Sequence, residues 1–171
     1  MPGSYPGSSY TVQLDYLSVE AIHNPSPTAK LNLSVSGLVN IADTVMTDDG
    51  GGFGSITGGA GDDHIYASHL DDTILGGAGD DHVSGGKGDD ILYGGAGADI
   101  FVFYADDGVD TVIDYDDGVD QIRIFAPDAV IGFADVAVAA SGSGARLDFA
   151  GTVVLLPGVD PSFINASDFI F

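Results

Sequence analysis

Residues 58–102 read GGAGDDHIY, ASHLDDTIL, GGAGDDHVS, GGKGDDILY and GGAGADIFV, five consecutive nine-residue units without a gap. The nine before them, DGGGFGSIT at 49–57, keep the phase but lack the sixth-position Asp. Further up, ADTVM at 42–46 looks like the second half of another unit, out of phase by two residues. A fixed period of this kind decides the architecture before any propensity is consulted. Each unit has two halves with different physics. Positions one to six are rich in Gly and close on Asp, at Asp63, Asp72, Asp81, Asp90 and Asp99. Gly supplies the tight turns and positive φ values that other residues resist. Positions seven to nine are β-prone, and position eight is apolar throughout: Ile56, Ile65, Ile74, Val83, Leu92 and Phe101. Two units therefore make one coil with a strand on each side. Stacked coils form two parallel sheets, with rungs about 4.8 Å apart and the position-eight side chains between them. Units 58–66, 76–84 and 94–102 fall on one side, and units 49–57, 67–75 and 85–93 on the other. The predicted fold class is all-β, a parallel β-roll.

The chain has 171 residues, enough for one ordinary domain or one domain with a fragment of a second. It carries 26 acidic residues against 4 basic ones, and all the acids but Glu20 are Asp. Asp and Gly are turn residues and Glu is a helix former, so the sequence is rich in turns and poor in helix. The net charge of −22 excludes a nucleic-acid binder, which needs a basic surface. With no Cys, thiolate zinc sites, disulfides and thiol chemistry are excluded. No apolar run reaches the length of a membrane helix, and no Lys/Arg-led secretory signal opens the chain. Hydrophobic residues at 44% allow a core, so something has to neutralise the acid.

Residues 1–10 read as a flexible linker. Residues 11–20 and 31–35 alternate as strands around a Pro-rich break at 23–28. Segment 11–39 is either an N-terminal cap packed against the repeats or the tail of a missing upstream domain. The roll itself spans 40–102. Beyond Val102 the period ends. Residues 103–171 read as C-terminal capping strands, which a solenoid needs on an open end. Two DGVD segments, 107–110 and 117–120, each precede a strand, Thr111–Ile113 and Gln121–Phe125. Phe133–Ala139, Ala145–Phe149 and Thr152–Leu156 read as antiparallel strands, with turns at 141–144 and 150–151.

Stacking brings the sixth-position Asp residues of every second unit within about 4.8 Å of each other. Like charges so close repel strongly unless a cation sits between them. The turns add rows of backbone carbonyls. Such an oxygen-only donor set in a flexible loop suits Ca²⁺, which takes about six to eight oxygens, better than it suits Mg²⁺.

The units resemble the RTX (repeats-in-toxin) nonapeptide G-G-x-G-x-D-x-U-x, where U is a large apolar residue. Four of the five match fully, in tandem and in phase. The resemblance implies a right-handed parallel β-roll with Ca²⁺ held between the turns of units i and i+2. It implies side-chain ligation by Asp63, Asp72, Asp81, Asp90 and Asp99. It implies carbonyl ligation by Gly59, Gly61, Gly77, Gly79, Gly86, Gly88, Gly95 and Gly97, with further help from Asp62, Asp80 and Asp89. Unit 67–75 departs from the pattern, with Ala67, Ser68 and Leu70 in place of Gly. The sites shared by 58–66, 76–84 and 94–102 should therefore be best formed, and the one between 67–75 and 85–93 weaker. About three ions or more are expected. The DGVD segments read either as ordinary turns or as an extra Ca²⁺ site.

The stretch after the repeats resembles the capping region of serralysin-type proteases and other RTX proteins, so the likeness covers roughly residues 40–171. The ending Asp168-Phe169-Ile170-Phe171 resembles the terminus read by type I secretion machines. The implied function is non-catalytic: Ca²⁺-driven folding that supports export and stabilises a larger secreted, extracellular protein. The alternative is a polysaccharide- or surface-binding module. His64 and His82, both at position seven, should neighbour each other on an outer face, as a surface ladder or a transition-metal pair. Tyr66 and Tyr93 at position nine fall on opposite sides, which favours packing over a shared sugar-binding surface. No HExxH, G-x-S-x-G or phosphate-loop motif is present.

Overall fold

A computed structural model describes residues 10–15, 31–36, 38–40, 53–67, 69–126 and 132–171. The readings of residues 1–9 as linker, of 23–28 as a break and of 42–46 as a half-unit lie outside the described residues. Fifteen strands are described. In chain order they are β1 (Tyr10–Asp15), β2 (Leu31–Ser36), β3 (Leu38–Asn40), β4 (Phe53–Ala60), β5 (His64–Tyr66), β6 (Thr73–Ala78), β7 (His82–Ser84), β8 (Ile91–Ala96), β9 (Ile100–Tyr104), β10 (Val109–Val112), β11 (Gln121–Phe125), β12 (Ala137–Ser141), β13 (Gly144–Phe149), β14 (Thr152–Leu156) and β15 (Phe169–Ile170).

The strands form two sheets. The first has the order β1-β2-β4-β6-β8-β10-β14-β13-β12, and the second β15-β11-β9-β7-β5-β3. Every pairing is parallel except those within β12–β14. Consecutive units alternate between sheets, so residues eighteen apart become lateral neighbours. Ile56 lies opposite Ile74 and Ile74 opposite Leu92 in the first sheet. Ile65 lies opposite Val83 and Val83 opposite Phe101 in the second. All six are fully buried between the sheets. Burying each is worth roughly 1.5–3 kcal/mol, so this column of large side chains is the roll's main cohesive element.

The strands outlast the sequence period. β10 stacks on β8 with Thr111 opposite Ile91, and β11 stacks on β9 with Gln121 opposite Ile100. The extra residues of this last coil are taken up in its turns. The apolar interior then runs without a break from the roll through Phe103, Val112, Ile122 and Ile124 to Leu147, Phe149, Val154 and Leu156. β14 adds to β10 in parallel and carries the antiparallel β13 and β12 outward. β15 closes the second sheet against β11, with Phe169 opposite Ile122.

Several boundaries differ from the sequence reading: β1 begins at Tyr10, inside the stretch read as linker, and β4, β6 and β8 run on into the Gly-rich positions of the next unit. The strand expected from Phe133 begins at Ala137, because Phe133–Asp135 forms a 3₁₀ turn with Phe133 packed on the core. The strand expected at Thr111–Ile113 is Val109–Val112. At the other end, β1 and β2 extend the first sheet and β3 extends the second.

Candidate calcium site

The Gly-rich halves of the units supply the turns along the roll, although the first three residues of those at 58–60, 76–78 and 94–96 continue β4, β6 and β8. Gly59, Gly61, Gly77, Gly79, Gly86, Gly88, Gly95 and Gly97 all have positive φ, between 88° and 146°. Any other residue would be strained there. Five of these positions, Gly77, Gly79, Gly88, Gly95 and Gly97, also leave no room for a side chain. A Cβ on Gly77 would meet the carbonyl oxygen of Gly59 at 2.1 Å, and one on Gly95 would meet that of Gly77 at 2.0 Å. One on Gly97 would meet that of Gly79 at 2.0 Å. The turns are thus stacked backbone on backbone, with carbonyl oxygens in the space between them.

The sixth-position carboxylates run down the stack as two ladders. In one, Oδ1 of Asp81 accepts from the Asp63 amide at 2.7 Å, and Oδ1 of Asp99 accepts from the Asp81 amide at 2.8 Å. In the other, Oδ1 of Asp90 accepts from the Asp72 amide at 2.7 Å. All five side chains are at most 2% exposed. The outer oxygens are left over: Oδ2 of Asp81, Asp90 and Asp99 is buried without a hydrogen-bond partner. A buried carboxylate oxygen with no partner is costly, so this arrangement calls for a cation. Burial first, then the neighbouring carboxylates, push Asp81 and Asp99 up to about 6 and Asp90 up to about 8, while the amide bonds work the other way.

Position five forms an outer row. Oδ1 of Asp62 accepts from the Asp80 amide, Oδ1 of Asp80 from the Ala98 amide, and Oδ1 of Asp71 from the Asp89 amide. Oδ1 of Asp89 accepts from the Val109 amide. These side chains are exposed and tie one turn to the next.

Unit 67–75 keeps Asp72 in its ladder, yet its turn differs. Among the described residues only Asp106 and Ala150 are non-Gly residues with positive φ, so Leu70 does not reproduce the fourth-position Gly conformation. Gly88 nevertheless stacks on it, with its Cβ position 2.8 Å from the Leu70 carbonyl carbon.

Both ladders continue past the nonapeptides, which the sequence left undecided. Asp110 Oδ1 accepts from the Asp90 amide at 3.0 Å, and Asp120 Oδ1 accepts from the Asp99 amide at 3.0 Å. Both are buried, and Oδ2 of Asp110 again has no hydrogen-bond partner. Burial and the neighbouring Asp107 raise Asp110 to about 7. Burial also raises Asp120, whose Oδ2 is held by the Asp116 amide. Asp114, which the sequence reading did not flag, caps the stack by accepting from the Gly94 and Gly95 amides. A signal was present: Asp110-Thr111-Val112 and Asp120-Gln121-Ile122 repeat the closing half of a unit, as in Asp72-Thr73-Ile74, after a turn of different length.

The donors offered here are all oxygen. Among the described residues no three His, Asp or Glu side chains converge on one point. An ion between the turns would be held by one or two carboxylates and by main-chain carbonyls. That set fits Ca²⁺, which accepts many oxygens in tolerant geometry. It does not suit ions that demand nitrogen or sulfur.

Elsewhere, Tyr66 lies on the second sheet and Tyr93 on the first, on opposite sides as expected. Tyr104 and Phe125, missed from sequence as a pair, are 40% and 46% exposed and stack at 5.3 Å between ring centroids. Within the closing DFIF, Asp168 is buried and accepts from the Asn165 amide at 2.7 Å, and Phe169 is buried in the core.

The family model of the RTX calcium-binding nonapeptide repeat, which describes four copies, matches residues 48–68 and 70–101. No curated protein matches the chain. Among solved structures, the chain is similar to the AlgE6R3 subunit of the mannuronan C5-epimerase of Azotobacter vinelandii. Identity is 26% and the TM-score 0.36, over 67% of this chain and 80% of that one. It is also similar to the extracellular lipase LipA of Serratia marcescens, at 17% identity and a TM-score of 0.47, over 97% of this chain and 37% of the lipase. At these TM-scores neither likeness identifies a function.

Proposed function

Since residues 48–68 and 70–101 are RTX calcium-binding nonapeptide repeats, we propose that this chain is a non-catalytic module folded by Ca²⁺ as part of a larger secreted protein. The observation that carries the reading is the pair of buried carboxylate ladders. Asp81, Asp90, Asp99 and Asp110 each have one oxygen tied to the neighbouring turn and keep the other buried and unsatisfied. Asp63, Asp72, Asp81, Asp90 and Asp99 would supply the side-chain oxygens, and the Gly carbonyls between the turns the rest. Asp110 and Asp120 extend the same ladders, so ions would also bind where the roll meets its cap. When bound, Ca²⁺ supplies the positive charge that lets this column of carboxylates stay ionised in a closed stack. Metal-binding energy then becomes folding energy.

The same coupling would make the chain a switch. Extracellular Ca²⁺ modules bind at roughly 10⁻⁴–10⁻³ M. At cytosolic Ca²⁺ the excess acid would hold the repeats open, and the chain would pass a type I export machine unfolded, led by its DFIF ending. Outside, Ca²⁺ would close the turns onto the cap. The test is a Ca²⁺ titration of the EGTA-stripped chain by far-UV circular dichroism, with Mg²⁺ as control. A cooperative gain of β signal in Ca²⁺ alone supports the switch. A chain already fully folded in EGTA sinks it.

A second reading has one observation in its favour. The exposed, stacked Tyr104 and Phe125 offer an aromatic platform on the outer face of the second sheet, the kind of surface on which sugar rings pack. A glycan array read with and without Ca²⁺ decides it, and Tyr104→Ala should abolish any signal that depends on this face.

A further inference from the structure

Position seven of each unit points away from the core. In the second sheet this places His64 and His82 on adjacent rungs of one face, directly opposite each other in the parallel register of β5 and β7. Their ring centroids are 4.3 Å apart with an interplanar angle of 38°. Both side chains are half-buried, so the pair is open to solvent on one side. We propose that His64 and His82 form a two-imidazole site for one borderline transition-metal ion, of the class of Cu²⁺ or Ni²⁺, distinct from the oxygen sites in the turns.

Imidazole nitrogen suits these ions, and hard Ca²⁺ does not compete for it. Metal–imidazole bonds of about 2.0–2.1 Å put two nitrogens on one ion roughly 3 Å apart, within reach of rings already this close. Among the described residues no third His, Asp or Glu joins the pair. Water would complete the shell, which favours ions that take two nitrogens plus water over a closed structural Zn²⁺ site. The sequence neighbours Asp63 and Asp81 are engaged inside the stack, so each rung presents oxygen inward and nitrogen outward. The next rung offers Ile100, opposite His82, and Arg123 lies close enough to bear electrostatically on His82. The face therefore has room for one ion and no row of them. The two imidazoles are eighteen residues apart in sequence and meet only when units 58–66 and 76–84 are stacked. A bound ion would act as a clamp across the two rungs.

The experiment uses the full chain saturated with Ca²⁺ and titrated with Cu²⁺ by calorimetry, with electron paramagnetic resonance at one equivalent. The wild-type spectrum should show two nitrogen ligands. Affinity should fall about tenfold or more in His64→Ala and in His82→Ala, and stay unchanged in His69→Ala, whose exposed imidazole lies outside the pair. Circular dichroism of each Ca²⁺-loaded variant checks its fold, and the wild-type nitrogen count stands apart from any variant. A spectrum with fewer or more than two nitrogens overturns the assignment. So does a folded His82→Ala that binds Cu²⁺ as wild type does, or an equal loss in His69→Ala.

Discussion

Replacing Gly79 by Ala tests the stacking of the turns, and Gly61→Ala is its internal control. Both residues hold the fourth position of a unit, and both have positive φ, 128° and 104°. Placing a Cβ in this region costs roughly 1–2 kcal/mol in either case. The surroundings differ. A Cβ on Gly79 would lie 2.5 Å from the Gly61 carbonyl carbon, 2.6 Å from its oxygen and 2.9 Å from the Asp62 nitrogen. All three are backbone atoms that cannot swing aside. Around Gly61 nothing among the described residues comes within 4 Å. Overpacking of this kind adds roughly 1–3 kcal/mol, and for Gly79 alone. The turn must open, which also pulls on the Gly79 amide bond to Ala96 and the Ala98 amide bond to Asp80. The two variants should therefore differ by about 1–3 kcal/mol, or roughly 5- to 150-fold in the folding constant. Urea unfolding of the Ca²⁺-loaded chain measures the difference, and the Ca²⁺ midpoint by circular dichroism should move to higher concentration in the same order. Equal losses in the two variants would refute backbone-on-backbone stacking.

Asp81→Ala should raise the Ca²⁺ midpoint more than Asp72→Ala, because Asp81 is an inner rung with a ladder partner on each side and the Asp72 unit carries the irregular Leu70 turn; equal midpoints would contradict this pairing. Without metal, acid should stabilise the roll: Asp81 and Asp99 sit at about 6, Asp110 at about 7 and Asp90 at about 8, all above the ordinary 3.8. The folded chain then holds more protons than the unfolded one, so this contribution is complete below about pH 4 and is lost as pH rises through the range 6 to 8. Circular dichroism of the EGTA-stripped chain should show β signal growing as pH falls from about 8 to about 5, and a loss over that range contradicts the ladder electrostatics. Phe169→Ala should cost about 3 kcal/mol in the Ca²⁺-loaded chain, since Phe169 fills the core at the edge of β11, and a loss within measurement error by urea unfolding would place the ending outside the fold.

The roll was legible because its signal is redundant. Period, Gly placement and the apolar eighth position each point to the same stack, and the register of Ile65 on Val83 on Phe101 comes from counting. The continuation through Asp110 and Asp120 was not legible by counting, because the last coil has longer turns and the phase is lost while the D-x-apolar half survives. The cap strands were readable from alternation, but the start of β12 was not. Phe133 packs against the core, half-buried, and that local contest between turn and strand leaves no mark on a hydrophobic pattern. The stacked Tyr104 and Phe125 belong to strands whose pairing depends on the lengthened coil, so their meeting could not be counted either.

The alternation of units between two sheets carries an arithmetic consequence for how such a chain can change length. A unit's sheet is set by its parity. Loss or gain of one nonapeptide would send every downstream strand to the opposite sheet. β10 and β11 would exchange sides and carry β14 and β15 with them, so the cap would keep its own pairings but sit reversed relative to β1, β2 and β3 at the far end of the stack. Loss or gain of two nonapeptides only shortens or lengthens the stack by one coil and returns the cap to its seat. The parity of the unit count therefore fixes how the two ends of the stack face each other.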